Sequence, residues 1–146
     1  MEPVSMLLAM AYRAMGDQFH ERLRAVELEP LRPAHGYVFR FLAERRATAQ
    51  DLAAHLGVTK QAAAKIVSEL VEWRYVQREP HPTDKRAQYV TLTTKGRDYL
   101  KFADGMWADL EAEMASVIGT AELHALKGNL KKYLDHVGVH HLRPVW

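Results

Sequence analysis

The chain has 146 residues, the size of one domain or of one domain with an added oligomerisation segment. Its hydrophobic content of 48% is enough for a core, and its formal net charge of +2 excludes a generally basic polypeptide. The absence of cysteine excludes disulfides, thiolate zinc sites and thiol-based redox sensing. No apolar run reaches the ~18 residues of a membrane span, and the first residues lack the basic start of a secretory signal. We therefore expect a cytoplasmic protein that does not interact with membranes.

Two helices are predicted at the start of the chain. Apolar residues recur at three- and four-residue steps over Ser5–Leu28, and Ser5 is a suitable N-cap. Pro30 and Pro33 bracket a short link, because proline disfavours a continuing helix. The second helix is predicted over Ala34–Arg45.

The next segment has the pattern of a helix-turn-helix. The first helix is predicted over Thr48–Leu56, where Thr48 and Asp51 have the spacing of a capping box. Gly57 ends this helix, since glycine adopts the left-handed conformation at low cost. The second helix is predicted over Thr59–Trp73, with Thr59 at its start.

The second helix of this pair has one apolar and one polar face. Its core-facing stripe consists of Ala63, Ile66, Val67, Leu70 and Val71. After Thr59, the opposite face carries short or hydrogen-bonding residues: Lys60, Gln61, Ala64, Lys65 and Ser68. A helix that enters the major groove of DNA needs this combination of small residues, donors and positive charge. In a single helix, an ordinary solvent-exposed face explains the same pattern.

A basic hairpin is predicted after the second helix. β-type residues at Tyr75–Val76 and Val90–Leu92 flank the segment Arg78–Arg86, which contains two prolines and is predicted as a loop. Within it, Arg78 and Lys85 are predicted DNA contacts. Asp84 and Arg86 are also assigned to this surface, with Arg86 entering the minor groove and paired with Asp84. A solvated hairpin tip is the alternative for the loop alone.

The charge is concentrated in this region. Residues 59–101 contain nine Lys or Arg against five Asp or Glu, a local excess of four. Helix, turn, helix and basic hairpin in this order are more specific than any one of them. Together they predict a surface that binds the phosphate backbone of DNA.

Two further helices are predicted at the end of the chain, from the cap Thr93 to about Ile118 and from the cap Thr120 onwards. The first of them has a wide apolar stripe around Trp107, Leu110 and Met114. A stripe of this width is buried on more than one side. We therefore expect a homodimer in which the terminal helices interlock.

Several short motifs make the chain similar to the MarR-type transcriptional regulators. They are Asp51–Ala53, Leu56–Thr59, Arg78, Pro82–Arg86 and Leu92–Gly96. The resemblance covers nearly the whole chain, with two departures: Arg74 stands where the family usually has Gly, and Arg32 where a Thr or Ser cap is usual. A left-handed Arg74 or a different helix end would accommodate the first departure.

The resemblance implies a mainly α fold with a small β-wing in one domain, 1–146. Residues 34–96 form the winged helix-turn-helix, and 1–30 and 97–146 form dimerisation helices. The implied function is that of a homodimeric repressor that binds duplex DNA and is released by a small-molecule ligand. Its operator would be pseudo-palindromic, with half-site centres about 34–36 Å apart.

The resemblance further implies a small aromatic or phenolic ligand, bound between the winged region and the dimerisation helices. The aromatic candidates for this site are Tyr12, Phe19, Tyr37, Phe41 and Trp107. Arg13, His20 or His35 would orient an acidic group of the ligand. Core packing is the alternative for the aromatic residues.

No catalytic motif and no cofactor-binding motif is found, so we do not expect an enzyme. Two other functions stay open. His136 and His140 would lie one turn apart if the last helix continued, and with His141 they suggest a metal sensor. A winged helix that binds protein in place of DNA is the second alternative.

Overall fold

The computed structural model of the protein describes residues 1–26 and 28–144. Over these residues the chain forms six helices and three strands. The helices are α1 (Val4–Ala25), α2 (Pro33–Leu42), α3 (Ala49–Leu56), α4 (Lys60–Glu72), α5 (Thr94–Ile118) and α6 (Thr120–His136). The strands are β1 (Ala47–Thr48), β2 (Val76–Pro80) and β3 (Gln88–Leu92). The predicted mainly α fold with a small β-wing is confirmed.

The chain divides into two compact units. Unit 1 contains residues 1–30 and 104–140, and unit 2 contains residues 31–103 with the tail from His141. Unit 2 therefore holds the winged helix-turn-helix, and unit 1 holds α1, α6 and most of α5. No helix among the described residues is long and apolar enough to cross a membrane.

The core of unit 2 joins α2, α3 and α4 to one face of the sheet. Its largest fully buried side chains include Phe39, Leu52, Leu70, Tyr75 and Val90. The aromatic rings pack edge to face, with the ring centroids of Phe39 and Tyr75 5.3 Å apart. The alternation of buried and exposed residues along α4 follows the apolar stripe predicted from the sequence.

The sheet is antiparallel, with the strand order β1-β3-β2. The sequence analysis missed β1, because two residues carry no alternation of their own. It also assigned Arg78–Pro80 to a loop, which is wrong: these residues belong to β2, and Pro80 is opposite Gln88. Proline is tolerated here because β2 is an edge strand and Pro80 is its last residue, so no interior ladder bond is lost.

The turn between α3 and α4 has the predicted local chemistry. The Thr48 hydroxyl accepts from the Asp51 N–H at 3.1 Å, and the Asp51 carboxylate accepts from the Thr48 N–H at 3.0 Å. Gly57 is left-handed with a φ of 69°. The Thr59 hydroxyl accepts from the Ala62 N–H at 3.1 Å, which makes Thr59 the N-cap of α4.

Two predicted caps are wrong. Ser5 lies inside α1, because the helix begins one residue earlier and the Pro3 carbonyl accepts the N–H groups of Met6 and Leu7. Thr120 is the first residue of α6, and Gly119 is its N-cap with a φ of 102°, a value that glycine adopts more easily than any other residue. The ends of α1 and α2 also come about three residues before the predicted Leu28 and Arg45.

The end of α4 is tied to the start of α5. Arg74 is left-handed with a φ of 65°, the first of the two alternatives for this departure from the family pattern. The Thr93 hydroxyl donates to the Arg74 carbonyl oxygen at 2.6 Å and also accepts from the Gly96 N–H at 3.1 Å, so Thr93 is the predicted cap of α5. Lys95 Nζ donates to the Trp73 carbonyl oxygen at 2.7 Å. These contacts satisfy carbonyl groups that a helix end leaves without partners.

Unit 1 is held by contacts between α1 and α5. The rings of Phe19 and Trp107 stack with centroids 4.4 Å apart, and Leu110 is buried. Arg22 forms a bidentate pair with Glu113 at 2.7 Å, although both side chains are partly exposed. The apolar stripe of α5 is therefore covered partly by α1 within the same chain.

Gly96 gives a test of the joint between α4 and α5. A methyl group at this position would overlap the Tyr75 carbonyl oxygen, a backbone atom that cannot move independently. We expect Gly96→Ala to lower the free energy of unfolding by about 1–3 kcal/mol. Gly36→Ala, which meets nothing within 4 Å, should raise it by up to about 1 kcal/mol. Urea unfolding measures both values, and equal stability of the two variants would contradict the proposed role of Gly96.

Candidate nucleic-acid interface

The polar face of α4 is open to solvent. Every residue predicted to contact DNA from this helix is exposed: Thr59, Lys60, Gln61, Ala64, Lys65 and Ser68. The opposite face is buried through Ala63, Ile66 and Val67, so packing determines which face the helix presents. Thr59 lies at the N-terminal end, where free N–H groups and the helix dipole favour a phosphate.

The wing approaches this face through its first strand. The Arg78 guanidinium donates to the Ser68 hydroxyl at 3.3 Å, which connects β2 to α4. Both residues were singled out from the sequence as DNA contacts, and the fold brings them together. Arg78 thereby extends the positive charge of the wing towards the polar face of α4.

The predicted ion pair between Asp84 and Arg86 is present at the tip of the wing, but it is long. The Arg86 Nε lies 3.9 Å from the Asp84 carboxylate, and the Arg86 side chain is 95% exposed. The stronger contact is the one that the Arg86 backbone N–H donates to the Asp84 carboxylate at 2.9 Å. Asp84 therefore shapes the turn and leaves the guanidinium and Lys85 free to reach outwards.

A polar cluster of Arg32, His35 and Glu69, in which only His35 is fully buried, connects α2 to α4. Glu69, on α4, accepts from the Arg32 guanidinium at 3.0 Å and lies 3.2 Å from His35 Nε2. His35 Nδ1 accepts from the Arg32 backbone N–H at 2.9 Å and so caps the start of α2. His35 supplies only the half of a capping box that belongs to the third helical position. The Arg32 side chain has no acceptor, and the His35 N–H is accepted by the Arg32 carbonyl oxygen at 3.0 Å.

His35 is fully buried and hydrogen-bonded, whereas its predicted role was to orient an acidic group of a ligand. The signal was its position, three residues after a residue that cannot cap a helix. Because Nδ1 accepts a backbone N–H, the ring is neutral and donates through Nε2 to Glu69. The cluster thus couples the start of α2 to the helix that carries the exposed polar face.

The surroundings of His35 make stability dependent on pH. Burial, and then the charge of Arg32, lower the pKa of His35 from 6.5, against the opposing effect of Glu69. The unfolded chain therefore binds a proton that the folded chain does not bind as the pH falls below about 6.5. Stability is full above this value and is lost as the pH falls towards the lower pKa of the folded state. The pKa of His55 is lowered in the same direction by burial and by Arg143.

The aromatic residues predicted to bind a ligand lie in both units. Phe19 and Trp107 stack on each other in unit 1, where Tyr12 is exposed. Tyr37 is buried in unit 2, and Phe41 contacts the His55 ring, with centroids 4.2 Å apart. Of the polar candidates, His20 hydrogen-bonds the Gly16 carbonyl oxygen, and Arg13 is exposed. Packing against other side chains accounts for most of these residues, and a ligand role for them stays a prediction.

The C-terminal histidines do not have the geometry that a metal sensor would need. α6 ends at His136, and Gly138 is left-handed with a φ of 75°, so His136 and His140 are not on adjacent turns of one helix. His140 Nδ1 instead lies 3.6 Å from Asp135. The described part of the chain contains no cluster of three or more potential metal ligands.

Comparison with known proteins agrees with this architecture. A sequence model described as MarR family matches residues 30–87. The HTH-type transcriptional regulator TcaR of Staphylococcus aureus is 24% identical over 98 residues, which are 61% of this chain and 65% of TcaR. The match therefore spans slightly less than two thirds of that relative.

Solved structures match over nearly the whole chain. A mutant of MarR from E. coli is 26% identical, with a TM-score of 0.79 over 92% of this chain and 98% of that one. A mutant of MepR from S. aureus, bound to an oligodeoxyribonucleotide, is 20% identical, with a TM-score of 0.64 over 94% of this chain and 99% of that one.

A helix-turn-helix followed by an antiparallel wing, with the polar face of its second helix exposed, defines a winged-helix protein. The matched family, the curated relative and the solved structures all refer to the same group. Residues 30–87 are similar in sequence to the MarR family, and nearly the whole chain is similar in fold to MarR from E. coli.

Substitution of His35 tests the pH dependence. We expect the free energy of unfolding to fall from about pH 7.5 to about pH 5.5, and to fall less in His35→Gln, which lacks the titrating ring. At the higher pH the variant should be less stable by about 1–3 kcal/mol if Arg32 loses its buried acceptor. Urea unfolding at each pH measures this, with the exposed His124→Gln as control. Identical pH profiles for His35→Gln and the wild type would refute the role of His35.

Proposed function

We propose that the protein is a sequence-specific regulator of transcription, acting in the cytoplasm as a homodimeric repressor of a pseudo-palindromic operator. The observation that carries the proposal is the exposed polar face of α4, bordered by Arg78 and by the basic tip with Lys85 and Arg86. The excess of positive charge between residues 59 and 101 supports binding to phosphate groups. The MepR relative in complex with an oligodeoxyribonucleotide supports DNA as the partner.

The residues of α4 have different proposed roles. Gln61 and Lys65 lie about one turn apart and contact base edges, since glutamine makes a bidentate contact with adenine and lysine donates to guanine or phosphate. Thr59 and Lys60, at the N-terminal end, contact phosphate. Ala64 and Ser68 are small enough for close approach to the groove. Arg86 enters the minor groove next to this site.

Substitutions on α4 test these roles on an operator obtained by selection in vitro. Gln61→Ala should change the preference at defined positions of each half-site, because a base contact is lost. Lys60→Ala should weaken all sequences nearly equally and reduce the salt slope by about one unit, because a phosphate contact is lost. Fluorescence anisotropy on the operator, its single-base variants and random duplex measures both effects.

The outcomes are distinct. If Gln61→Ala lowers the affinity for all DNA sequences equally, Gln61 contacts the phosphate backbone of DNA and not a base. No effect of either variant would mean that α4 does not enter the groove, and the protein-binding alternative would then be favoured. Tight, salt-independent binding of the wild type would also contradict the proposal, because counterion release makes DNA affinity strongly dependent on salt.

Dimerisation is supported by apolar surface in unit 1. The first half of α1 exposes Leu7, Leu8 and Met10, and α6 has no buried residue although it carries Tyr133 and Leu134. Exposed apolar side chains on both terminal helices are typical of an interface between chains. A homodimer would bury them and set the distance between two α4 helices.

Sedimentation tests the assembly. We expect a dimer at micromolar concentration and, for Leu134→Glu, a dimer dissociation constant raised at least about tenfold, because a charge would be placed in an apolar interface. Gln50→Glu, at an exposed position of α3, is the control and should leave the dimer unchanged. A compact wild-type monomer at the same concentration would exclude both the dimer and the palindromic operator.

Release by a small molecule is the last part of the proposal. The ligand-binding residues predicted from the sequence are aromatic, and Arg13, His20 or His35 would orient an acidic group of the ligand. Unit 2 also contains a cavity of about 330 Å³ lined by Leu42, Leu92, Thr91, Glu44, Ala43 and three arginines, Arg45, Arg46 and Arg97. Arginine recognises carboxylates bidentately, which supports an organic acid as the effector. Loss of operator binding on titration with small aromatic acids tests this part.

A further inference from the structure

The wing contains a histidine that the DNA-binding proposal does not use. His81 follows β2 and is half-buried. Its Nδ1 accepts the backbone N–H of Asp84 at 3.0 Å and that of Thr83 at 3.2 Å, and the Thr83 hydroxyl lies 3.4 Å away. Nδ1 of His81 is thus the shared hydrogen-bond acceptor of the turn that leads to the basic tip.

The ring is held in this position from the side of the sheet. The rings of His81 and Tyr89, on β3, are in contact with centroids 4.7 Å apart. The Arg46 guanidinium lies 4.4 Å from the centroid of the Tyr89 ring. The ring that carries the Nδ1 acceptor is therefore held against β3, and the backbone of the turn hydrogen-bonds to it.

The hydrogen bonds continue from His81 to Arg86. His81 fixes the backbone N–H of Asp84, and the Asp84 carboxylate accepts the Arg86 N–H at 2.9 Å. The Asp84 carbonyl oxygen accepts the Ala87 N–H at 3.2 Å, which closes the turn. The backbone of Arg86 is thereby positioned through Asp84 from His81, although the Arg86 side chain stays free.

We propose that His81 is the positioning residue of the wing, and that it acts only while its Nδ1 carries no proton. This inference rests on the proposed function, because the wing is taken to contact DNA. A doubly protonated ring has two donors and no acceptor, so it cannot receive the Thr83 and Asp84 N–H groups. Protonation of Nδ1 would therefore release both N–H groups and loosen the wing.

Charged groups lie on both sides of the ring. Asp84, Lys85 and Arg86 belong to the same loop, and Arg46 lies over the Tyr89 ring on β3. On β2, the Glu79 carboxylate accepts from the Thr91 hydroxyl at 3.1 Å. A direct contact between His81 and DNA phosphate is the competing role, and it has the opposite pH dependence, because a protonated ring would bind phosphate more strongly.

Two substitutions of His81 distinguish the effect of the hydrogen-bond acceptor from the effect of the bulk of the ring. His81→Asn keeps an acceptor that can receive backbone N–H groups from the following residues, as in an Asx-turn. His81→Leu keeps apolar bulk and removes the acceptor. At pH ~7.5 we expect the affinity of the full chain for its selected operator to stay within about twofold in His81→Asn and to fall about fivefold or more in His81→Leu.

The pH profile gives the second measurement. From pH ~7.5 to pH ~5.5 the wild type should lose affinity relative to His81→Asn, which carries the other histidines unchanged but lacks this ring. Wild-type affinity in His81→Leu, equal weakening of both variants, or a relative gain of wild-type affinity at acid pH would each overturn the proposal.

Amide hydrogen exchange in the free protein tests the role of His81 in the turn without any DNA, and so independently of the proposed function. The Thr83 and Asp84 amides should exchange slowly in the wild type and in His81→Asn, and at least about fivefold faster in His81→Leu. Equal exchange in all three proteins overturns the role of His81, whatever the DNA measurements give. If the wild type shows slow exchange of these amides but binds no duplex DNA, the proposed function is wrong, and the role of His81 in organising the turn still holds.

Discussion

The helix-turn-helix depends on how the ends of its two helices are satisfied. A helix leaves its last carbonyl groups without internal partners, and a short helix pair cannot cover them by itself. At the end of α4 the partners come from the start of α5, where Thr93 and Lys95 donate to the carbonyl oxygens of Arg74 and Trp73. At α3, the Arg143 guanidinium of the C-terminal tail donates to the Ala54 carbonyl oxygen at 3.2 Å. In both cases a cation lies at a helix C-terminus, where the dipole favours positive charge.

The same principle explains the polar cluster of Arg32, His35 and Glu69. An uncapped α2 would leave the Arg32 N–H unsatisfied near the core, and His35 accepts it at the cost of burying an imidazole. Glu69 then receives both the His35 ring and the Arg32 guanidinium. The residue that accepts at the start of α2 therefore also links α2 to α4, and Glu69 joins this link from the flank of α4 between its buried and exposed faces. The lowered pKa of His35 is a consequence of this burial.

The wing uses local hydrogen bonds in place of a core. Its exposed tip buries too little apolar surface to define one conformation, so side-chain acceptors define the turn. His81 and Asp84 supply them in succession, and Arg78 connects the strand to α4 through Ser68. Basic residues at the tip are thereby presented on an ordered backbone while their own side chains remain free to adapt.

The sequence by itself determined the features that local chemistry controls. The Thr48–Asp51 capping box, the left-handed Gly57, the Thr59 and Thr93 caps and the polar face of α4 follow from side chains within one or two turns, and all are present. Tertiary structure decided what depends on distant partners. β1 exists only because β3 is beside it, and Pro80 is tolerated because β2 lies at the edge. The partner of His35 could not be predicted, because Glu69, 34 positions later, reaches it only after α2 and α4 have packed.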